Sequence, residues 1–141
     1  MLIPIRLSLL ALLLSGSIFS CSKKEDEQVT PTQTIVGRWD ALSLHLVIFN
    51  AAGDTVYQEK NSPSNAHLVF AADKTYSSYS NDIESWHGTY TWQDDFLTTV
   101  NSVQGSQSFS ISALTTTSLV LFSDRRIGKE GGITITRYSR H

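Results

Sequence analysis

A single cysteine, Cys21, occurs in the 141 residues, so no disulfide can form within the chain and its fold must hold by core packing and backbone pairing. A small domain without that staple is best served by a closed architecture with one continuous core. An excess of positive charge is missing as well. Lys and Arg number 11 against 13 Asp and Glu, which leaves no basic footprint for nucleic acid. Long apolar runs are also lacking. The strongly apolar stretch covers only residues 7–14, interrupted by Ser8, well short of the about 20 residues needed to cross a bilayer. From Thr34 onward there is one proline, Pro63, and no long helical pattern. Catalytic groupings are absent too, with no nucleophile beside a base and no carboxylates converging on a cleft. Asp54, Asp73, Asp94, Asp95 and Asp124 fall in predicted turns, where Asp is favoured for local backbone hydrogen bonding. The expectation is a protein that is not an enzyme and uses no cofactor.

The N-terminal segment has one charge, Arg6, then the apolar run, then the small residues Ser15, Gly16 and Ser17. That order is signal-peptide anatomy. Cys21 follows directly, and the residues before it resemble the bacterial lipobox, with aliphatic Ile18 three places upstream and small Ser20 immediately upstream. Phe19, between them, departs from the pattern. The resemblance implies that residues 1–20 are cut away and that Cys21 becomes an acylated N-terminus bearing several palmitate-type chains. Two or more such chains anchor a protein stably to membrane, whereas one does so only marginally.

The run Ser22-Lys23-Lys24-Glu25-Asp26-Glu27 resembles the lysine-then-acidic export signal of surface lipoproteins in some Gram-negative bacteria. It reads equally as a solvated tether, because such a charge block cannot bury enough apolar area to fold. The expected organisation is a signal peptide at 1–20, an acylated tether at 21–33 and one domain at 34–141. The implied location is the outer membrane of a Gram-negative envelope, facing the cell surface or the periplasm. Without the first 20 of 141 residues 121 remain, and the loss of Arg6 leaves 10 cations against 13 anions, near −3.

The domain is rich in Thr, Ser, Val, Ile and aromatics, which points to β structure. Strands are predicted at 35–49, 55–59, 66–71, 75–80, 86–92, 96–100, 107–113, 118–122 and 133–138. Ala52-Gly53-Asp54, Ala72-Asp73-Lys74, Gln93-Asp94-Asp95 and Gly131-Gly132 supply the turn residues that hairpins need. In the clearest strand Trp86, Gly88, Tyr90 and Trp92 share one face and His87, Thr89 and Thr91 the other, a half-buried alternation. In the last strand Ile133, Ile135 and Arg137 share a face opposite Thr134, Thr136 and Tyr138. Strict alternation fails around His45, where Leu42, Leu44, Leu46 and Ile48 oppose Val47 and Phe49, the signature of a bulge. Such a series of short antiparallel strands predicts an all-β, up-and-down meander closed into an eight-stranded barrel, which abolishes exposed edges. A barrel of that size holds side chains or one small ligand.

Gly37-Arg38-Trp39 on the first strand matches the Gly-x-Trp signature of lipocalins. The segments 68–76 and 88–92 are similar to hairpins of the lipocalin-like domains of bacterial lipoproteins. The resemblance spans nearly all of the domain, although the disulfides and C-terminal helix of larger lipocalins are missing. It implies a structural role for Gly37, Trp39 and Arg137, with the arginine placed over the tryptophan at the closed end of the barrel. Phe70, Tyr76, Trp86, Tyr90 and Trp92 are the candidates to line a ligand cavity, and the same aromatics can instead simply fill the barrel. His45, His67 and His87 lie on different strands without the short spacing of metal motifs, so no metal site is expected. Two functions follow from these residues. In one, a membrane-anchored barrel binds a small hydrophobic molecule. In the other, a filled barrel acts as an interaction or inhibitor module through loops such as 61–65 and 124–131, the second carrying Arg125, Arg126 and Lys129.

Overall fold

The computed structural model describes residues 33–141. The expected signal segment, Cys21 and the tether up to residue 32 lie outside the described residues. Nine strands follow in order: β1 Gly37–Phe49, β2 Thr55–Asn61, β3 Ala66–Phe70, β4 Thr75–Ser80, β5 Ile83–Gln93, β6 Phe96–Asn101, β7 Gly105–Leu114, β8 Ser118–Asp124 and β9 Gly131–Arg140. All neighbouring pairs are antiparallel, and β9 returns to pair with β1. Eight strands therefore close as a barrel, and β2 is an extra strand beside it.

The extra strand arises because β1 is long and changes partner along one edge. Its first residues pair with β3, from Gly37↔Phe70 to Asp40↔His67, and its last pair with β2, from Leu44↔Asn61 to Phe49↔Thr55. A bulge falls between Ala41 and Ser43 on the other edge, against β9. It ejects Leu42, which is 55% exposed, and resets the alternation so that Leu44 shares its row with Thr136. His45 then points to the outer face, where its ring lies 2.9 Å from the Gln58 amide nitrogen.

Turn chemistry holds the meander together. Gly53, Lys74 and Asp94 take positive φ at the expected turns. A tighter turn joins β4 to β5, where Asn81 and Asp82 have φ of 51° and 59°, the two-residue arrangement whose twist matches a hairpin. That turn starts β5 at Ile83, three residues before the predicted strand. The core is Ile35, Trp39, Phe70, Tyr76, Tyr90, Leu97, Ile111, Leu119 and Leu121, drawn from seven of the barrel's strands and from the segment entering β1.

Candidate ligand-binding site

The end of the barrel where the chain enters is plugged. Trp39 is fully buried and donates its indole N–H to the Ile35 carbonyl at 2.7 Å. The guanidinium of Arg140 lies 4.6 Å from the Trp39 ring centroid, and its Nη2 donates to the carbonyls of Thr34 at 2.6 Å and Val36 at 3.2 Å. This corrects the sequence reading, which gave that place to Arg137. Arg137 pairs with Ser43 and Val120 on the outer face and is exposed. The cause is the phase of β9. Thr134, Thr136 and Tyr138 stand opposite the inward Ser123, Leu121 and Leu119, so the threonine face is the inner one. Gly37, with φ of +133°, holds a conformation that favours glycine.

Toward the other end the interior opens into a cavity of about 170 Å³. Its floor is the buried set Phe70, Tyr76, Leu97, Thr99 and Leu121. Higher up, Leu68, Ser78, Trp86, Phe109, Thr136 and Tyr138 form half-buried walls, with Gln104 and Gln107 at the rim. A second pocket of about 190 Å³ opens where β1 changes partner, lined by Pro63 and Ala66 among others, and shares Leu68, Ser78, Thr136 and Tyr138 as a common wall. Of the five aromatics singled out from sequence, Phe70, Tyr76 and Trp86 line the cavity. Tyr90 lies beneath it. It is buried, edge-on to Phe70 at 4.9 Å, and its hydroxyl donates to the Ala71 carbonyl at 2.8 Å. Trp92 packs against the core from the same row and donates its indole N–H to the Asp94 carbonyl.

The polar atoms of the cavity are organised from outside it. Tyr76, Gly88 and Asn101 occupy one cross-strand row, and the absence of a side chain at Gly88 lets Asn101 Nδ2 reach the Tyr76 hydroxyl at 2.7 Å. Asn101 Oδ1 is taken up by the backbone N–H groups of Val103 and Gln104 at 3.0 and 2.7 Å. The amide nitrogen must therefore face Tyr76 and donate, which leaves the phenol proton free to be given to something else. At the rim Gln107 is held twice, donating to the Gln104 carbonyl at 3.0 Å and accepting from Arg125 Nη2. Burial pushes the Tyr138 phenol up to about 12, partly offset by a hydrogen bond with Thr136, so it stays neutral. Sequence reasoning missed Ser78, Thr99, Gln104, Gln107, Thr136 and Tyr138. Only the alternation of β9 held a signal for the last two, and its phase was read inverted.

The histidines are dispersed. His67 is buried, stacked on Tyr79 at 4.4 Å, and His87 Nδ1 lies 2.9 Å from Glu84 on the surface. On the 124–131 loop Arg126 pairs with Asp124 at 2.6 Å and lies 5.5 Å from the Phe49 ring centroid. That pairing holds the Asp124 carboxyl down at about 2.

A closed antiparallel barrel, plugged by tryptophan at one end and hollow at the other, is a lipocalin-like barrel. Two solved structures share this fold at a TM-score of 0.50. One is a lipocalin-like protein from Bacteroides uniformis ATCC 8492, 14% identical over 75% of this chain and 97% of that one. The other is an uncharacterized protein from Bacteroides eggerthii DSM 20697, 12% identical over 75% of this chain and 98% of that one. No protein-family model matches the chain, and no curated protein matches it.

Proposed function

We propose that this is a membrane-anchored lipoprotein whose lipocalin-like barrel binds a small, largely apolar molecule and carries out no chemistry of its own. The observation that carries the reading is the cavity of about 170 Å³ with an aromatic floor and half-buried walls. A filled barrel acting only through its loops would leave that volume without a use, and unfilled space lined by side chains forfeits packing contacts. The anchor rests on Cys21 and the signal anatomy before it. The described chain enters at the plugged end, beside Ile35 and Gly37.

Native mass spectrometry of the full chain, extracted from its own envelope in detergent, tests the binding. A reproducible excess mass over the denatured, acylated chain is the expected result, and its absence from freshly extracted protein would remove the carrier reading. Cys21→Ser tests the anchor separately. The variant is expected to lose incorporation of a palmitate analogue and to leave the membrane fraction.

A further inference from the structure

We infer that the cavity selects a neutral, single-ring molecule carrying a hydrogen-bond acceptor, and that it excludes free fatty acids and other long or ionised ligands. The inference rests on the cavity reading above and names the class of compound it takes.

Size is the first argument. A cavity of about 170 Å³ is close to the roughly 150 Å³ apolar cavity that accommodates benzene. A long acyl chain would leave most of its methylenes in water, forgoing about 0.8 kcal/mol for each one not buried. The neighbouring pocket adjoins this one along Leu68, Ser78, Thr136 and Tyr138, and at about 190 Å³ it is likewise of single-ring size.

Charge is the second. Among the described residues no Lys, Arg, His, Asp or Glu lines the cavity. An ionised headgroup would lose its hydration there without a partner, and that cost far exceeds what hydroxyls return. Arg125 reaches the rim residue Gln107 through Nη2 on an exposed surface, where an ion pair with a ligand would contribute little.

Hydrogen bonding is the third. Because Asn101 donates to the Tyr76 oxygen, the phenol of this cavity-lining residue keeps its own proton to donate. A ligand acceptor satisfies it. The aromatic sides of Phe70, Trp86 and Phe109 suit a flat ring, which stacks or meets them edge-on.

Equilibrium dialysis of the full-length protein in lipid nanodiscs tests this with four probes: benzamide, toluene, benzoate and 1-decanol. Empty nanodiscs and the cavity-filling variant Ser78→Phe serve as blanks. Benzamide is expected to bind at least about tenfold more tightly than benzoate or 1-decanol, and about fivefold more tightly than toluene, the factor one hydrogen bond is worth. Tyr76→Phe should erase the preference over toluene, and the wild-type series stands alone if that variant does not fold. Benzoate or 1-decanol binding as tightly as benzamide would overturn the inference while leaving a carrier in place. Failure of all four probes, with no excess mass in the native spectrum, would overturn both.

Discussion

The guanidinium of Arg140 stacks 4.6 Å from the centroid of the Trp39 ring while its Nη2 holds the carbonyls of Thr34 and Val36. A planar fork that stacks and hydrogen-bonds at once is not replaced by an ammonium group. Arg140→Lys is therefore expected to lower stability by about 1–3 kcal/mol, the range for breaking charge-assisted bonds in a half-buried site. Arg137→Lys, on the exposed outer face, should stay within about 0.5 kcal/mol. Urea unfolding of the two variants side by side measures the difference, and equal effects would contradict the assignment.

Gly88 marks a second point where side-chain size decides. A Cβ built there would run into the Val100 carbonyl oxygen, a backbone atom that can retreat only by opening the β5–β6 ladder. Gly88→Ala should cost more than about 2 kcal/mol and disturb the Asn101 to Tyr76 bond, combining overpacking with a lost hydrogen bond. Gly105, with φ of +67° and nothing within 4 Å of its Cβ, isolates the backbone effect alone. Gly105→Ala is expected to cost about 1 kcal/mol. Thermal unfolding of both variants checks the ordering.

The aromatics of β5 separate binding from stability. Trp86 lines the cavity and is half-buried, whereas Tyr90 lies below it in the core. Trp86→Ala should abolish uptake of a ring-sized probe with a modest loss of stability. Tyr90→Phe should leave uptake intact and cost about 1 kcal/mol through the lost bond to Ala71. Dialysis and urea unfolding on the same preparations read the two effects. A loss of binding in Tyr90→Phe alone would mean the cavity floor lies deeper than Phe70 and Tyr76.

Much of the fold was legible because the signals were local. The alternation of Trp86, Gly88, Tyr90 and Trp92 fixed the inner face of β5, and the turns around Gly53, Asp73 and Asp94 fell where expected, whereas Gly131 and Gly132 belong to β9 and pair with β1. Two features depended on partners distant in sequence. Alternation gives the phase of a strand, but which phase faces inward is set by its neighbours. On β9 the isoleucines face outward, Ile133 beside Val47 and Ile135 beside Phe122 in two adjacent outer rows whose members are partly buried. The threonines were thereby left to line the cavity. The extra strand was equally hidden. β2 lies off the barrel only because β1 runs for 13 residues and hands its edge from β3 to β2, and no residue within 55–61 announces that.

Tyr138 links the inner face of β9 to pH. Burial pushes its phenol up to about 12, against about 10 in an unfolded chain. Between those values the folded state holds a proton that the unfolded state has lost, so stability falls as pH rises. The contribution is fully present below pH about 10 and disappears on passing about 12, a loss on the order of 2 kcal/mol. Tyr138→Phe removes this group and should make this part of the profile shallower, leaving the contribution of Tyr90, whose phenol burial also raises. Unfolding free energies from pH 8 to 12 for both proteins, with phenolate absorbance followed in parallel, provide the check. A wild-type profile that matches the variant's would mean the Tyr138 hydroxyl reaches water through the mouth, and the cavity would then be wetter than its walls imply.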